Sequence, residues 1–423
     1  MKQRLTMAAI SGAAKPETGF GTGALLFASA SLLVLSFLPA AQAQDDTEVT
    51  LSGEASVVVG TTENDDLDAD LDARVTLRAS TILDNGLEVG GVLEARADSD
   101  IPEQYWTGGR YSGLTAGGRR GVTSGGGDAY LQGAYVYAKG GFGEISIGRD
   151  NGIASQLAVT SPTIFRAIGV NDWKSDLTGL NDVQTINDFS GYDTKITYSP
   201  PANFLGGVLG GLQLGVSYTP ELEECGDDLC APVNGSVPTP VAAPGVGLVE
   251  GSSWRDVLET AVYYERPLGG DGVRLGVGAS YMSATEDLGI VTDRFDDYEA
   301  FSIGVNLAYN GITVGGSVKN TNAGFADEDE EGYLAFDAGV TYETGQWGFM
   351  LGYGASDAER DASDIVTPRI YRETQSAQAG VSYAFDKGIT LGAAAQFIDS
   401  DKPASIGGDE DEAAVLFESS IKF

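Results

Sequence analysis

The chain has 423 residues, with 25 Lys and Arg against 61 Asp and Glu for a net charge of −36, and it contains no histidine. Such acidity argues against nucleic acid as a partner. The missing imidazole removes the commonest general base and metal ligand, so Ser-His hydrolases are excluded and no enzymatic activity is expected. The 59 glycines, four methionines and lack of any long helical period favour one large all-β body over two or three soluble domains.

Lys2, Arg4 and Lys15 precede an apolar run from Leu25 to Leu38 and a small-residue exit, Ala41-Gln42-Ala43. Residues 1–43 therefore read as a secretory signal cut before Gln44, with a start at Met7 or an extended charged region explaining the long approach to the apolar run. Losing three bases and one acid leaves 22 basic and 60 acidic residues in 44–423, a charge of −38. That surplus either hydrates surface loops or sets up a field that concentrates cations. Beyond the leader nothing approaches the roughly 18 apolar residues of a membrane helix, so insertion would have to use strands.

The first strand is expected near 48–59, where Val49, Leu51, Ala55, Val57 and Val59 alternate with Glu48, Thr50, Ser52, Glu54 and Ser56. An acidic link, Gly60 to Asp70, leads to a second strand at about 71–83, with Val75, Leu77 and Ala79 opposite Arg74, Thr76, Arg78 and Ser80. Asp84-Asn85-Gly86 is a tight hairpin signal. The third strand sets Leu87, Val89, Leu93 and Ala95 against Glu88, Glu94, Arg96 and Asp98. Charges of both signs on that face suit a closed, wet interior better than a dry sandwich core, where each would cost several kcal/mol.

The rhythm continues with long links near 99–127, 150–189, 220–255, 283–297, 320–332, 355–371 and 398–412. Short ones fall between them at Gly140-Gly141, Pro200 to Gly210, Pro267 to Gly272, Asn310-Gly311, Glu343 to Gln346 and Asp386 to Gly388. About sixteen strands result, with both termini and the short turns at one end and the long links at the other. The expected fold is a 16-stranded antiparallel transmembrane β-barrel with an inward-folded constriction loop. Tyr135, Tyr137, Tyr198, Tyr218, Tyr281, Tyr309, Tyr342, Trp347, Tyr353 and Tyr383 are expected on the lipid side as interfacial girdles.

The loop that narrows such a barrel is expected at about 150–189. It holds five acids (Asp150, Asp172, Asp176, Asp182, Asp188) and two bases (Arg166, Lys174) among Ile164, Phe165, Ile168, Val170 and Trp173, which would anchor it against the inner wall. Cys225 and Cys230 lie close together in another long link, and an oxidising envelope favours a local disulfide over a metal pair. Asp65, Asp66 and Asp68, and the run Asp327 to Glu331, offer oxygen ligands for Ca2+, including divalent bridging to lipopolysaccharide, or are plain solvated tips. No other cofactor is expected.

The run from Ala134 through Tyr-Val-Tyr-Ala-Lys-Gly-Gly-Phe-Gly-Glu-Ile-Ser-Ile-Gly-Arg to Asp150, a long loop, and then Tyr192 through Asp-Thr-Lys-Ile-Thr-Tyr-Ser to Pro200 resembles the general Gram-negative porins. The resemblance implies an outer-membrane homotrimer that passes small hydrophilic solutes by diffusion. It implies a terminal Phe423 recognised by the barrel assembly machinery, contact with outer-membrane lipid and lipopolysaccharide, and a latch from 99–127 over a neighbouring subunit. It also implies a basic wall facing the acidic loop, for which the matching positions are Arg74, Arg78, Arg96 and Arg149. Asp70 and Asp72 share the parity of Arg74, so a transverse field with a net cation preference is expected. A substrate-selective channel and a plugged barrel with a structural or adhesive role stand as alternatives.

Overall fold

The computed structural model describes residues 47–63, 67–98, 128–171, 175–201, 210–222, 253–269, 272–287, 296–322, 332–360, 370–385, 388–404 and 408–423. These form sixteen strands: β1 Thr47–Thr62, β2 Asp68–Ile82, β3 Glu88–Asp98, β4 Asp128–Gly140, β5 Gly143–Arg149, β6 Thr194–Ser199, β7 Leu212–Leu222 and β8 Ser253–Leu268. The series continues with β9 Val273–Asp287, β10 Tyr298–Tyr309, β11 Ile312–Thr321, β12 Gly332–Thr344, β13 Trp347–Arg360, β14 Ile370–Ala384, β15 Ile389–Asp401 and β16 Glu410–Lys422. One helical turn, α1 (Ile153–Gln156), lies in the connection between β5 and β6.

Each strand pairs antiparallel with its sequence neighbours, and β1 pairs with β16, so the sheet closes on itself. At the seam the Gly53 N–H donates to the Phe423 carbonyl and the Phe423 N–H to the Gly53 carbonyl, both at 3.0 Å. A side chain at Gly53 would run into the Phe423 ring. The tight turns take the residues that tolerate them: Asn310 (φ 49°) and Gly311 (φ 81°) both occupy the left-handed region that a two-residue hairpin demands.

Side chains alternate as the period of two requires. In β16, Val415, Phe417 and Ile421 are exposed on the outer face, while Leu416, Glu418 and Ser420 are buried inside. The first acidic link is shorter than Gly60 to Asp70, because Gly60 and Asp68 already pair across β1 and β2. Two of the expected girdle residues turn inward: Val136 is 61% exposed outside, whereas Tyr137 is 4% exposed and donates to Glu88 at 2.8 Å. A register shift between Glu94 and Ala95 leaves Gln132 as an extra residue in β4, which inverts the parity of Tyr135 and Tyr137. Tyr198, Tyr218, Tyr281, Tyr309, Tyr342, Trp347 and Tyr353 stay exposed on the outer face.

Deleting Phe423 removes two seam hydrogen bonds, a loss of about 1–3 kcal/mol. Refolding into detergent should then yield barrels that unfold at lower temperature on heat-modifiability gels, and an unchanged midpoint would show that the seam gains nothing from its last residue.

Candidate functional site

The described residues of the connection between β5 and β6, 150–171 and 175–193, do not project as a surface loop. Their side chains Ile153, Phe165, Ile168, Leu177, Leu180, Val183 and Phe189 are buried, and their hydrogen bonds run to inward-facing residues of the wall. The outgoing limb passes Ser217 of β7, which accepts from the Ile153 N–H at 3.1 Å, and Glu259 of β8, which accepts from the Ala154 N–H at 3.2 Å. It then meets Asn306 of β10, which donates to the Thr160 carbonyl at 3.1 Å, and Asp337 of β12, which accepts from the Ser161 N–H at 2.9 Å. Glu418 of β16 takes the N–H groups of Arg166 (3.0 Å) and Ala167 (2.9 Å), and the Arg166 guanidinium pairs with Glu54 of β1. Ser175 reaches Asp70 of β2.

From there the limb returns over the same wall. Arg372 of β14 pairs with Asp182 at 2.7 Å and donates to the Leu180 carbonyl at 3.2 Å. Tyr333 of β12 accepts from the Gln184 N–H at 2.7 Å, Lys319 of β11 donates to the Ile186 carbonyl at 2.9 Å, and Asn187 donates to Ser280 of β9 at 2.9 Å. Phe189 stacks on Tyr298 with centroids 3.8 Å apart and meets Trp254 edge-on. Glu259 then takes the Ser190 hydroxyl, so one wall carboxylate holds both limbs. Lys195 of β6 fastens the neck by donating to the carbonyls of Asp150, Ser190 and Gly191.

Close packing of loop on wall depends on inward glycines. A Cβ at Gly304 would overlap the Val159 carbonyl, and Gly380 and Gly392 flank the Phe165 ring so tightly that neither site has room for one. Two apolar clusters result inside the barrel, one around Phe189, Trp254, Met282 and Tyr298, the other around Phe165, Ile168, Leu177 and Leu416.

The inner face of β2, β3 and β4 carries a different set of groups, which the loop meets at Asp70 through Ser175 and at Glu94 through Tyr192. Arg74 pairs with Glu94 at 3.5 Å, Arg78 with Glu88 at 3.3 Å, and Arg96 with both Asp72 and Asp98 at 2.9 Å. The Arg78 guanidinium also lies 4.2 Å from the centroid of the Tyr137 ring. The inward face of β2 and β3 thus holds Arg74, Arg78 and Arg96 among Asp70, Asp72, Glu88, Glu94 and Asp98. Arg149 stands apart, exposed on the outer parity at the end of β5, where it donates to the Tyr192 carbonyl at 3.2 Å.

Among the loop acids, Asp176 turns back on its own chain to accept from Thr178 and Asn181, and Asp182 is engaged by Arg372. Asp188 is half-buried, within electrostatic reach of Lys195. Asp150 follows β5 directly and accepts from the Asn151 N–H at 2.8 Å. Burial pushes its carboxyl up to about 6, against the opposing pull of that N–H and of Lys195. Asp68 is described and accepts from the Ala69 N–H at 2.7 Å. The leader 1–43, Asp65, Asp66, the link 99–127, Asp172, Cys225, Cys230 and the run 327–331 lie outside the described residues.

A family model described as Gram-negative porin matches residues 28–403. No curated protein matches the chain. Among solved structures, Salmonella typhi OmpF in complex with daunomycin superposes with a TM-score of 0.54 over 90% of this chain and 98% of that one at 16% identity. The anion-selective porin from Comamonas acidovorans gives 0.52 over 89% and 100% at 17% identity. Trimeric OmpT of Vibrio cholerae, folded in vitro, gives 0.53 over 90% and 100% at 12% identity. At these identities the likeness is one of fold.

Glu418→Ala leaves two loop N–H donors without their acceptor, at a cost of about 1–3 kcal/mol each. Trypsin should then cleave the folded barrel after Arg166; continued resistance would mean that the other wall contacts hold the loop unaided.

Proposed function

The chain belongs to the Gram-negative porin family, and from that premise we propose a water-filled outer-membrane channel through which small hydrophilic solutes and ions diffuse passively, with cations favoured. Channel and outer membrane follow from the family and the closed barrel; the cation preference is our reading of this chain's own wall. The observation that carries it is the pairing of Arg74, Arg78 and Arg96, each with a carboxylate on the same two strands. No cationic surplus remains on that face to attract anions, and the acids of β2 and β3 outnumber the bases.

The loop of 150–193 is the constriction in this reading, held mainly by β7 to β16 and touching the β2–β3 face at Asp70 and Glu94, with the open path along the rest of that face. A homotrimer is proposed on the fold shared with trimeric OmpT. Lipid and lipopolysaccharide around the barrel, the assembly machinery acting through Phe423, and the exported leader complete the proposal. The breadth of the loop's apolar packing favours one rival, a barrel sealed by its own loop. Liposome swelling with sugars of graded size separates the two: rates falling with size mean diffusion, and silence means a seal.

In planar bilayers under a KCl gradient the reversal potential should favour potassium; a potential favouring chloride rejects the preference. Asp150 titrates near 6, and its negative charge is present above that value and lost below it. The potassium preference should therefore weaken between about pH 8 and about pH 5, and Asp150→Asn should flatten that change.

A further inference from the structure

The ion pairs of β2 and β3 form a ladder rather than a cluster. In strand register Arg74 lies opposite Arg96, Thr76 opposite Glu94, and Ile82 opposite Glu88. The three levels are Asp72–Arg96–Asp98 toward the long loops, Arg74–Glu94 in the middle, and Arg78–Glu88 toward the short turns. From Asp98 to Glu88 the strand advances about 33 Å, so the ladder runs the height of the membrane band.

The two lower levels each present one cation and one anion side by side with an open edge, whereas Arg96 at the top is shared by two carboxylates, one of which, Asp98, is buried. Arg74 and Glu94 are 29% and 16% exposed, Arg78 and Glu88 39% and 29%, Arg96 and Asp72 17% and 14%. In the two lower levels the cation sits on β2 and the anion on β3, so the lateral dipoles point the same way around the wall. The third hydrogen-bonding element is aromatic: Tyr137 donates to Glu88 while its ring supports Arg78, which fixes the lowest pair in place.

We propose that this ladder selects zwitterionic solutes of the amino-acid type. The inference rests on the channel reading above and narrows it to a solute class. A free anion meeting a paired arginine must compete with the carboxylate already there, and a free cation meeting the carboxylate must compete with the arginine. A solute carrying an ammonium and a carboxylate on neighbouring atoms can dock on both members of a pair at once, carboxylate to guanidinium and ammonium to Asp or Glu, leaving no charge unpartnered. It can then step from one level to the next. Partly exposed pairs of this kind contribute about 0.2–1 kcal/mol, an enrichment of up to about fivefold at the wall, enough to bias flux without trapping the solute.

Alanine and lactamide test this directly, because they are isomers of one formula, one zwitterionic and one neutral. Uptake of both into proteoliposomes is measured with the full-length protein and with the paired variant Arg74→Gln, Glu94→Gln, Arg78→Gln, Glu88→Gln. The unsubstituted channel should pass alanine about two- to fivefold faster than lactamide, and the variant should bring that ratio to about one. Each ratio is taken within one preparation, so a poorly folding variant lowers both fluxes together. The exchange Arg78→Glu, Glu88→Arg, which keeps the pair but reverses it, should retain part of the preference. Equal fluxes in the unsubstituted protein, or a ratio that survives in the paired variant, overturn the ladder's role. Failure of both solutes to enter, with no KCl conductance, instead overturns the channel on which it rests.

Discussion

Hydrocarbon offers a peptide group no partner, and everything else in this molecule depends on how that demand is met. Sixteen antiparallel strands satisfy one another's N–H and C=O groups, and the pairing of β1 with β16 leaves no open edge. Closure then dictates the chemistry of each strand. Side chains at one parity meet lipid, which is why Val415, Phe417 and Ile421 stay exposed, and those at the other meet the interior, where Glu418 is buried. The same alternation brings carboxylates from widely separated parts of the sequence onto one inner surface.

That inner surface behaves like a protein core along most of its circumference. The described residues of the 150–193 connection form no sheet of their own, so their backbone donors need acceptors elsewhere. Glu259, Asp337 and Glu418 supply them, and Lys195, Lys319 and Arg372 supply donors to the connection's carbonyls. These charges are occupied in holding the loop. Inward glycines such as Gly304, Gly380 and Gly392 complement them by removing the side chains that would keep the loop at a distance.

Alternation and turn chemistry made the barrel legible in the sequence. The Asn85-Gly86 and Asn310-Gly311 turns and the long links delimit the strands to within a few residues, because period two and positive φ are local properties. Bulges were not legible. Asp256, with φ 52°, lets Trp254 and Glu259 both point inward although they lie an odd number of residues apart, and the extra residue Gln132 does the same for the tyrosines of β4. The loop's fasteners were also missed. Their only signal was a charge at inward parity in mid-strand, as at Glu259, Asp337 and Glu418, and the loop's path decides which of these it meets. The arginines of β2 and β3 were visible as residues but not as pairs, since pairing needs the register that puts Arg74 opposite Arg96 and one diagonal step from Glu94.

Register also decides how far each charge is felt. An unpaired arginine would act through the lumen over a Debye length of about 8–10 Å. An arginine 3.3–3.5 Å from a single carboxylate, as at Arg78 and Arg74, acts as a dipole, whose field falls off faster with distance, so a solute senses it only at the wall. In the proposed channel the excess of acids over bases acts at the longer range, on ions at the mouths. In that proposed channel two scales of selection share one inner face: net charge acts at entry, and the pairs along β2 and β3 act on a solute that passes against the wall.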